Sequence, residues 1–285
     1  MRVKPTFHGR RVLTLESRRA PELALLVVNY GGQPMVAPAV REIPLESNDR
    51  ALAFAAALLR GEYGMVVLMT GVGTRLLIRL AEAAHDRTTF LGALAATRLI
   101  TRGPKPTAAL REVGITPWLM VPSPNTWREV LETLDAKASG VCAGGLRVAV
   151  QEYGTSNPQL AEELTARGAA VTSVPIYQWA LPEDVGPLRA AVRAIIDDSL
   201  DVLILTAGVQ LVHLLRVAAD MQLEFPMRQA LGRVVVASIG PMTSDELRRQ
   251  DLPVDMEATH PKMGFLVKEA AERCEELLNL KRAVA

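Results

Sequence analysis

Four short turns carry the residues best placed to do chemistry. They are Thr70-Gly71-Val72-Gly73, Gly103-Pro104-Lys105-Pro106-Thr107, Thr206-Ala207-Gly208-Val209 and Gly240-Pro241-Met242-Thr243. Each follows an apolar run and opens onto a helical pattern. A helix N-terminus presents backbone N–H groups without intrahelical partners and roughly half a positive charge from the aligned peptide dipoles. Small residues let a ligand approach that backbone, and the guest such a turn fits is an anion, phosphate or carboxylate. Taken singly, each turn reads first as a helix cap. Thr243 with Glu246, and Thr126 with Glu129, have capping-box spacing. Four such turns in matched places point instead to a ligand with many anionic groups.

Other chemistries find no support in the spacing. Gly71-Val72-Gly73 has no third glycine at dinucleotide spacing, and no phosphate-binding G-x-x-x-x-G-K-[ST] occurs. His8, His85, His213 and His260 are scattered, with no H-E-x-x-H or C-x-x-C, so a metal site is not expected. No G-x-S-x-G elbow is present. His213 stands in an apolar helical run and reads as structural; His260 reads as a solvated loop residue.

The bulk composition sets wide bounds. The chain has 285 residues, 49% hydrophobic and 22% charged, which suggests about two globular domains. A net charge of +1 supplies no field for nucleic acid or a membrane surface, and 4% aromatics is too few for a base-stacking platform. "MRVKPTFHGRR" lacks an apolar signal core, and no apolar run is long enough to span a bilayer. Two cysteines make no disulfide framework. The expectation is a cytoplasmic protein with no membrane and no nucleic-acid partner.

The elements that position these turns are written twice. Gly103 and Gly240 lie 137 positions apart, and the same shift carries Arg10 to Arg147, Pro21 to Pro158, Gly31 to Gly168, Gly71 to Gly208 and Arg111 to Arg248. One register held through punctuating glycines and prolines indicates a duplicated, domain-sized unit. "MVVLMT" (65–70) and "DVLILT" (201–206) are continuously apolar, as strands buried on both faces of a parallel sheet must be. Helical patterns follow them, and "RVVVASIGP" is another such strand. Pro21 suits a first helical position and Asn157 an N-cap. Strand–helix alternation predicts an α/β fold with parallel sheets.

In order and spacing, these segments resemble the uroporphyrinogen-III synthase family. "GPMTSDELRRQDLPVDMEATHPKMGFLVKEA" is similar to its C-terminal signature. "DVLILTAGVQLVHLL" is similar to its strand-Thr-Ser-x-x-Gly-Val element, and "RGAAVTSVPIYQW" to the strand entering its interdomain linker. "LTLESRRAPELALLVVNYGGQPMVAPAVREIPLE" fits its opening strand, basic turn, helix and return strand. The resemblance covers nearly the whole chain.

The resemblance implies two parallel-sheet α/β domains, one discontinuous, joined by a two-stranded antiparallel linker. The expected bounds are 1–36 with 182–285, 47–170 for the middle domain, and 37–46 with 171–181 for the linkers. It implies cyclisation of hydroxymethylbilane, a linear tetrapyrrole with eight carboxylates, to uroporphyrinogen III. The last ring is inverted and water is lost. The resemblance further implies that no cofactor is needed, and a monomer making transient contacts with neighbouring pathway enzymes is expected. Orientation of intrinsically reactive groups is then the main task. Tyr177 matches the family's linker tyrosine and becomes the candidate general acid, with Tyr153 its competitor.

Substrate carboxylates fall to Arg18, Lys105 and the four turns: Thr70, Gly71, Gly103 and Thr107 in the middle domain, and Thr206, Ala207, Gly208, Gly240 and Thr243 in the other. The chain departs from the family pattern at Gly71, Pro106 and Ala207, so only backbone contacts carry over there. Two alternatives remain open: a non-catalytic, tetrapyrrole-sensing member of the same fold, and a two-domain small-ligand binding protein.

Overall fold

A strand whose every residue is apolar must be covered on both faces. The computed structural model, which describes residues 5–45, 48–152, 154 and 156–284, shows how this chain meets that demand. Val202 and Ile204 enter one buried cluster while Leu203 and Leu205 enter another. Met65 and Val67 pack with Ile100 and Val148, whereas Val66 and Leu68 pack with Leu99 and Ala149. The chain divides into two compact units, Met1–Arg41 with Ala180–Ala285, and Glu42–Trp179.

In chain order the strands are β1 (Arg11–Thr14), β2 (Gln33–Val36), β3 (Arg41–Pro44), β4 (Met65–Leu68), β5 (Arg98–Thr101) and β6 (Leu119–Met120). They continue as β7 (Arg147–Gln151), β8 (Ala170–Val174), β9 (Tyr177–Ala180), β10 (Val202–Leu205), β11 (Val235–Ser238) and β12 (Met256–Glu257). The first unit holds a parallel sheet of order β12-β11-β10-β1-β2, and the second a parallel sheet of order β6-β5-β4-β7-β8. Helices make the crossovers that parallel pairing requires. A small antiparallel sheet pairs β3 with β9. The chain passes between the units within these two strands.

The two sheets are copies of one arrangement. Val202 pairs with Val235 and Met65 with Arg98; Ala237 pairs with Met256 and Ile100 with Leu119. Each match preserves the 137-residue shift. The inner strands β1 and β7 depart from it. Val12 lies between Val202 and Pro34, and Val148 between Met65 and Val171, a shift of 136. Arg147 therefore corresponds to Arg11, not to Arg10 as the plain shift suggests. The second copy holds one more residue between its inner strand and the return strand.

Two local expectations need correction. Of the stretch 171–181 read as linker, Val171 to Val174 belong to β8, because Gln151 and Val174 continue the β7 ladder; the strand paired with β3 starts at Tyr177. Thr243 is not a cap. Its helix, Pro241–Arg249, is preceded by Gly240 as N-cap, and the Thr243 N–H bonds to the Gly240 carbonyl. The Glu246 carboxylate goes to the Arg249 and Gln250 side chains. Thr126 and Glu129 do form a capping box, and Asn157 Oδ1 accepts from Leu160 N at 3.1 Å. Cys142 and Cys274 are buried free thiols. No helix among the described residues is long and apolar enough to cross a membrane.

Candidate functional site

In the second unit the turn after β4 is built around Thr70. Its extended backbone stops the strand, and its Oγ1 accepts from Gly73 N at 3.0 Å as the N-cap of the Gly71–Ala84 helix. The turn before the Pro104–Arg111 helix lies against it: a Cβ added at Gly71 would stand 2.7 Å from the Lys105 carbonyl oxygen. Arg75 holds the two helices together through both Glu112 oxygens, and that guanidinium draws the Glu112 carboxyl below its ordinary range. Tyr177 enters from β9. Its ring is 4% exposed and packs in the core with Leu68 and Ile176, while its hydroxyl oxygen lies 3.3 Å from Thr70 Oγ1. Thr70, Gly71, Lys105 and Tyr177 are thus brought together, although Tyr177 is 107 residues from Thr70.

The remaining residues of that turn pair are internal. Thr107 is buried, and its hydroxyl donates to the Gly103 carbonyl at 2.9 Å and meets Thr101 Oγ1 at 2.6 Å. Gly103 is buried against Asn125: a Cβ there would lie 2.9 Å from Asn125 Cγ. Lys105 is exposed and has no side-chain partner among the described residues. Tyr153 lies outside the described residues.

The first unit repeats the geometry with different side chains. Gly208 opens the Gly208–Asp220 helix, and a Cβ on it would be 3.7 Å from the Met242 carbonyl and 2.9 Å from Glu246 Cβ. Position 207, the match of Thr70, is alanine and cannot cap with a hydroxyl. Gln210 serves different donors, ahead of the helix: its Oε1 accepts from Thr206 N at 2.9 Å and from Ala207 N at 3.2 Å. Thr206 is one residue upstream of the match, and its hydroxyl donates to Glu16. Glu16 also accepts from Arg19 N at 3.2 Å and from Gln210 Nε2 at 3.5 Å. A carboxylate of the chain itself therefore sits beside this turn. Gly240 and Thr243 are buried, and Arg18 is exposed. His213 is structural: its Nδ1 lies 2.6 Å from the Ala39 carbonyl, and burial pushes its pKa down. His260 is an exposed loop residue beside Thr259 and Phe265.

Gln151 and Glu16 are the residues that sequence reasoning missed. Both end or follow a buried strand, "RVAVQ" and "RVLTLE", where a polar residue at the strand's carboxyl end is the available signal. Gln151 is 1% exposed and accepts from Thr70 N at 3.2 Å.

The sequence and the fold are similar to those of known proteins. The family model described as uroporphyrinogen-III synthase HemD matches residues 21–268. The uncharacterized protein YjjA of Bacillus subtilis (strain 168) is 26% identical over 274 residues, spanning 94% of this chain and 97% of the relative. The structure is similar to that of a variant of uroporphyrinogen III synthase from the extremely thermophilic bacterium Thermus thermophilus. The TM-score is 0.71 at 25% identity, with 94% of this chain and 99% of that chain covered. A wild-type crystal form of the same enzyme matches with a TM-score of 0.54 at 26% identity, over 97% and 100% of the two chains.

Proposed function

The chain belongs to the uroporphyrinogen-III synthase family, and on that premise we propose that it cyclises hydroxymethylbilane to uroporphyrinogen III with inversion of the last ring. It acts as a cofactor-independent hydro-lyase in the cytoplasm, in tetrapyrrole biosynthesis. The observation that carries the reading is the hydroxyl pair Tyr177 and Thr70 at a helix N-terminus, 3.3 Å apart. Thr70 Oγ1 already accepts a backbone N–H, so its own proton is free to point at the phenol oxygen. In this reading the Tyr177 phenol gives its proton to the hydroxyl of the substrate. As it transfers, the carbon–oxygen bond breaks, water leaves with the electron pair, and an azafulvenium cation remains. The phenolate keeps the Thr70 donor and faces the positive end of the helix dipole. The substituted α carbon of the last ring attacks the exocyclic methylene carbon of the cation to give a spiro intermediate. The older bond from that α carbon to its bridging methylene then breaks and re-forms at the free α carbon, which inverts the ring. The proton lost there on rearomatisation restores the phenol. Carboxylates of the substrate bind the exposed Lys105 in one unit and the exposed Arg18 and partly exposed Gly208 backbone in the other, while the buried Gly71, Gly103 and Gly240 shape their turns. Thr107 and Thr243 serve the turns from inside.

The test is to generate hydroxymethylbilane enzymatically in the presence of the purified protein and to separate the isomers. Isomer III in excess supports the proposal; isomer I alone, formed by closure without inversion, overturns it. The burial of Tyr177 favours a second reading, a tetrapyrrole-binding member without turnover. That reading is distinguished by saturable binding of uroporphyrin in a protein that yields no isomer III.

A further inference from the structure

The two copies fill one small space in two ways. In the first unit, position 210 of the helix is a glutamine whose Oε1 takes the Ala207 N–H. The match of position 210 in the second unit is Gly73. There the amide comes from the neighbouring strand: Gln151 Oε1 takes the N–H of Thr70, the residue that matches Ala207. A methyl group added at Gly73 would overlap the Gln151 amide nitrogen, so the glycine is what admits it.

The exchange changes what the threonine hydroxyl can do. On the helix, Gln210 Nε2 turns back at 2.8 Å to Thr206 Oγ1, and the Thr206 proton goes to Glu16. From the strand, Gln151 Nε2 donates to the Glu152 carbonyl. Thr70 Oγ1 is left with the Gly73 N–H and Tyr177. The position matching Tyr177 in the first unit is Val40, which offers that turn no phenol. Gln151 is itself too enclosed to touch a substrate.

We propose that Gln151 is a positioning residue, anchoring the Thr70 backbone so that the Thr70 hydroxyl meets the Tyr177 phenol. The proposal rests on the reading of Tyr177 as proton donor. A hydrogen bond to the backbone of residue 70 sets the rotation of that peptide, and a shift of about an ångström at a reacting group costs on the order of a hundredfold in rate.

The experiment uses the full chain labelled with tyrosine carrying carbon-13 at Cζ, the Tyr177 signal being assigned from Tyr177→Phe. Two variants attack the contact from opposite sides. Gln151→Met removes the amide while keeping its length, and Gly73→Ala displaces the amide while leaving it in the chain. In both, the Tyr177 signal is expected to move toward its position in Thr70→Val. With hydroxymethylbilane, kcat is expected to fall about tenfold to a hundredfold while KM changes about twofold at most. An unmoved Tyr177 signal in either folded variant overturns the proposal. Loss of kcat in Tyr177→Phe with full kcat in Gln151→Met overturns the positioning role alone. Full kcat in Tyr177→Phe, with a signal that still follows Gln151, overturns the acid role and leaves the positioning intact.

Discussion

The Tyr177 phenol oxygen stands 3.3 Å from the Thr70 hydroxyl, at the N-terminus of the Gly71–Ala84 helix. The duplicated turn of the first unit has alanine and valine at the matching positions, Ala207 and Val40. The pair therefore belongs to one copy only. Replacing Tyr177 with phenylalanine keeps the packed ring and removes the proton. Such a variant is expected to lose about a hundredfold or more in kcat. Its stability should change by only about 1 kcal/mol, the value of a typical hydrogen bond. Steady-state rates beside thermal unfolding check this, and a wild-type kcat would end the acid assignment.

Thr70 has a second role as a cap, and Ala207 lacks it. Both residues have extended backbones, φ −142° and ψ 149° against φ −161° and ψ 145°. Ala207→Thr is expected to add about 0.5–1 kcal/mol to stability, since a threonine there can accept from a helix N–H as Thr70 does. Thr70→Val is expected to lose about 1 kcal/mol and to lower kcat as well. Denaturant titration of both variants decides it. An Ala207→Thr protein no more stable than wild type would contradict this.

Glycine is needed at both helix starts. A Cβ on Gly71 meets the Lys105 backbone oxygen at 2.7 Å, which can move only with its turn. On Gly208 it meets Glu246 Cβ at 2.9 Å. That atom is fixed to its helix and moves only with it. Gly71→Ala and Gly208→Ala are each expected to cost about 1–3 kcal/mol and to part the two turns of their own unit. An unchanged thermal melt in either variant would contradict this.

The His213 imidazole gives a pH dependence. Burial lowers its pKa in the folded protein, whereas the unfolded chain titrates near ~6.5. Below that value the unfolded state binds the extra proton first. The His213 contribution is therefore complete above about pH 6.5 and is lost as the pH falls from there toward the folded-state pKa. His213→Gln is expected to flatten stability as the pH falls below about 6.5, relative to wild type. Unfolding curves across that window measure it, and parallel slopes would remove His213 as the cause.

Lys105 offers an exposed charge beside the second-unit turns, with no side-chain partner among the described residues. Lys105→Glu is expected to raise KM for hydroxymethylbilane about threefold or more at low salt, with the difference shrinking as salt screens the field. An unchanged KM would place the substrate carboxylates elsewhere.

Much of this protein is local, and local features were legible from the residues alone. Apolar runs bounded by Thr and Gly marked β4 and β10, because a strand buried on both faces has no polar position to spare. Asn157 and Thr126 marked helix starts, because their side-chain oxygens satisfy backbone donors a few residues away. The shift of 137 matched every strand of one five-stranded sheet to its copy in the other except β1 to β7. Tertiary structure decided the rest. It assigned Arg147 to Arg11, since the ladder partners of β1 and β7 set the register and one residue in the return connection moves it. It put Gln151 in the space that Gly73 leaves. It brought Tyr177 to Thr70 from 107 residues away. Those relationships depend on which strands are neighbours and on which side chains share a volume. Spacing along the chain records helix turns and strand pleats, but not which distant residue closes the gap.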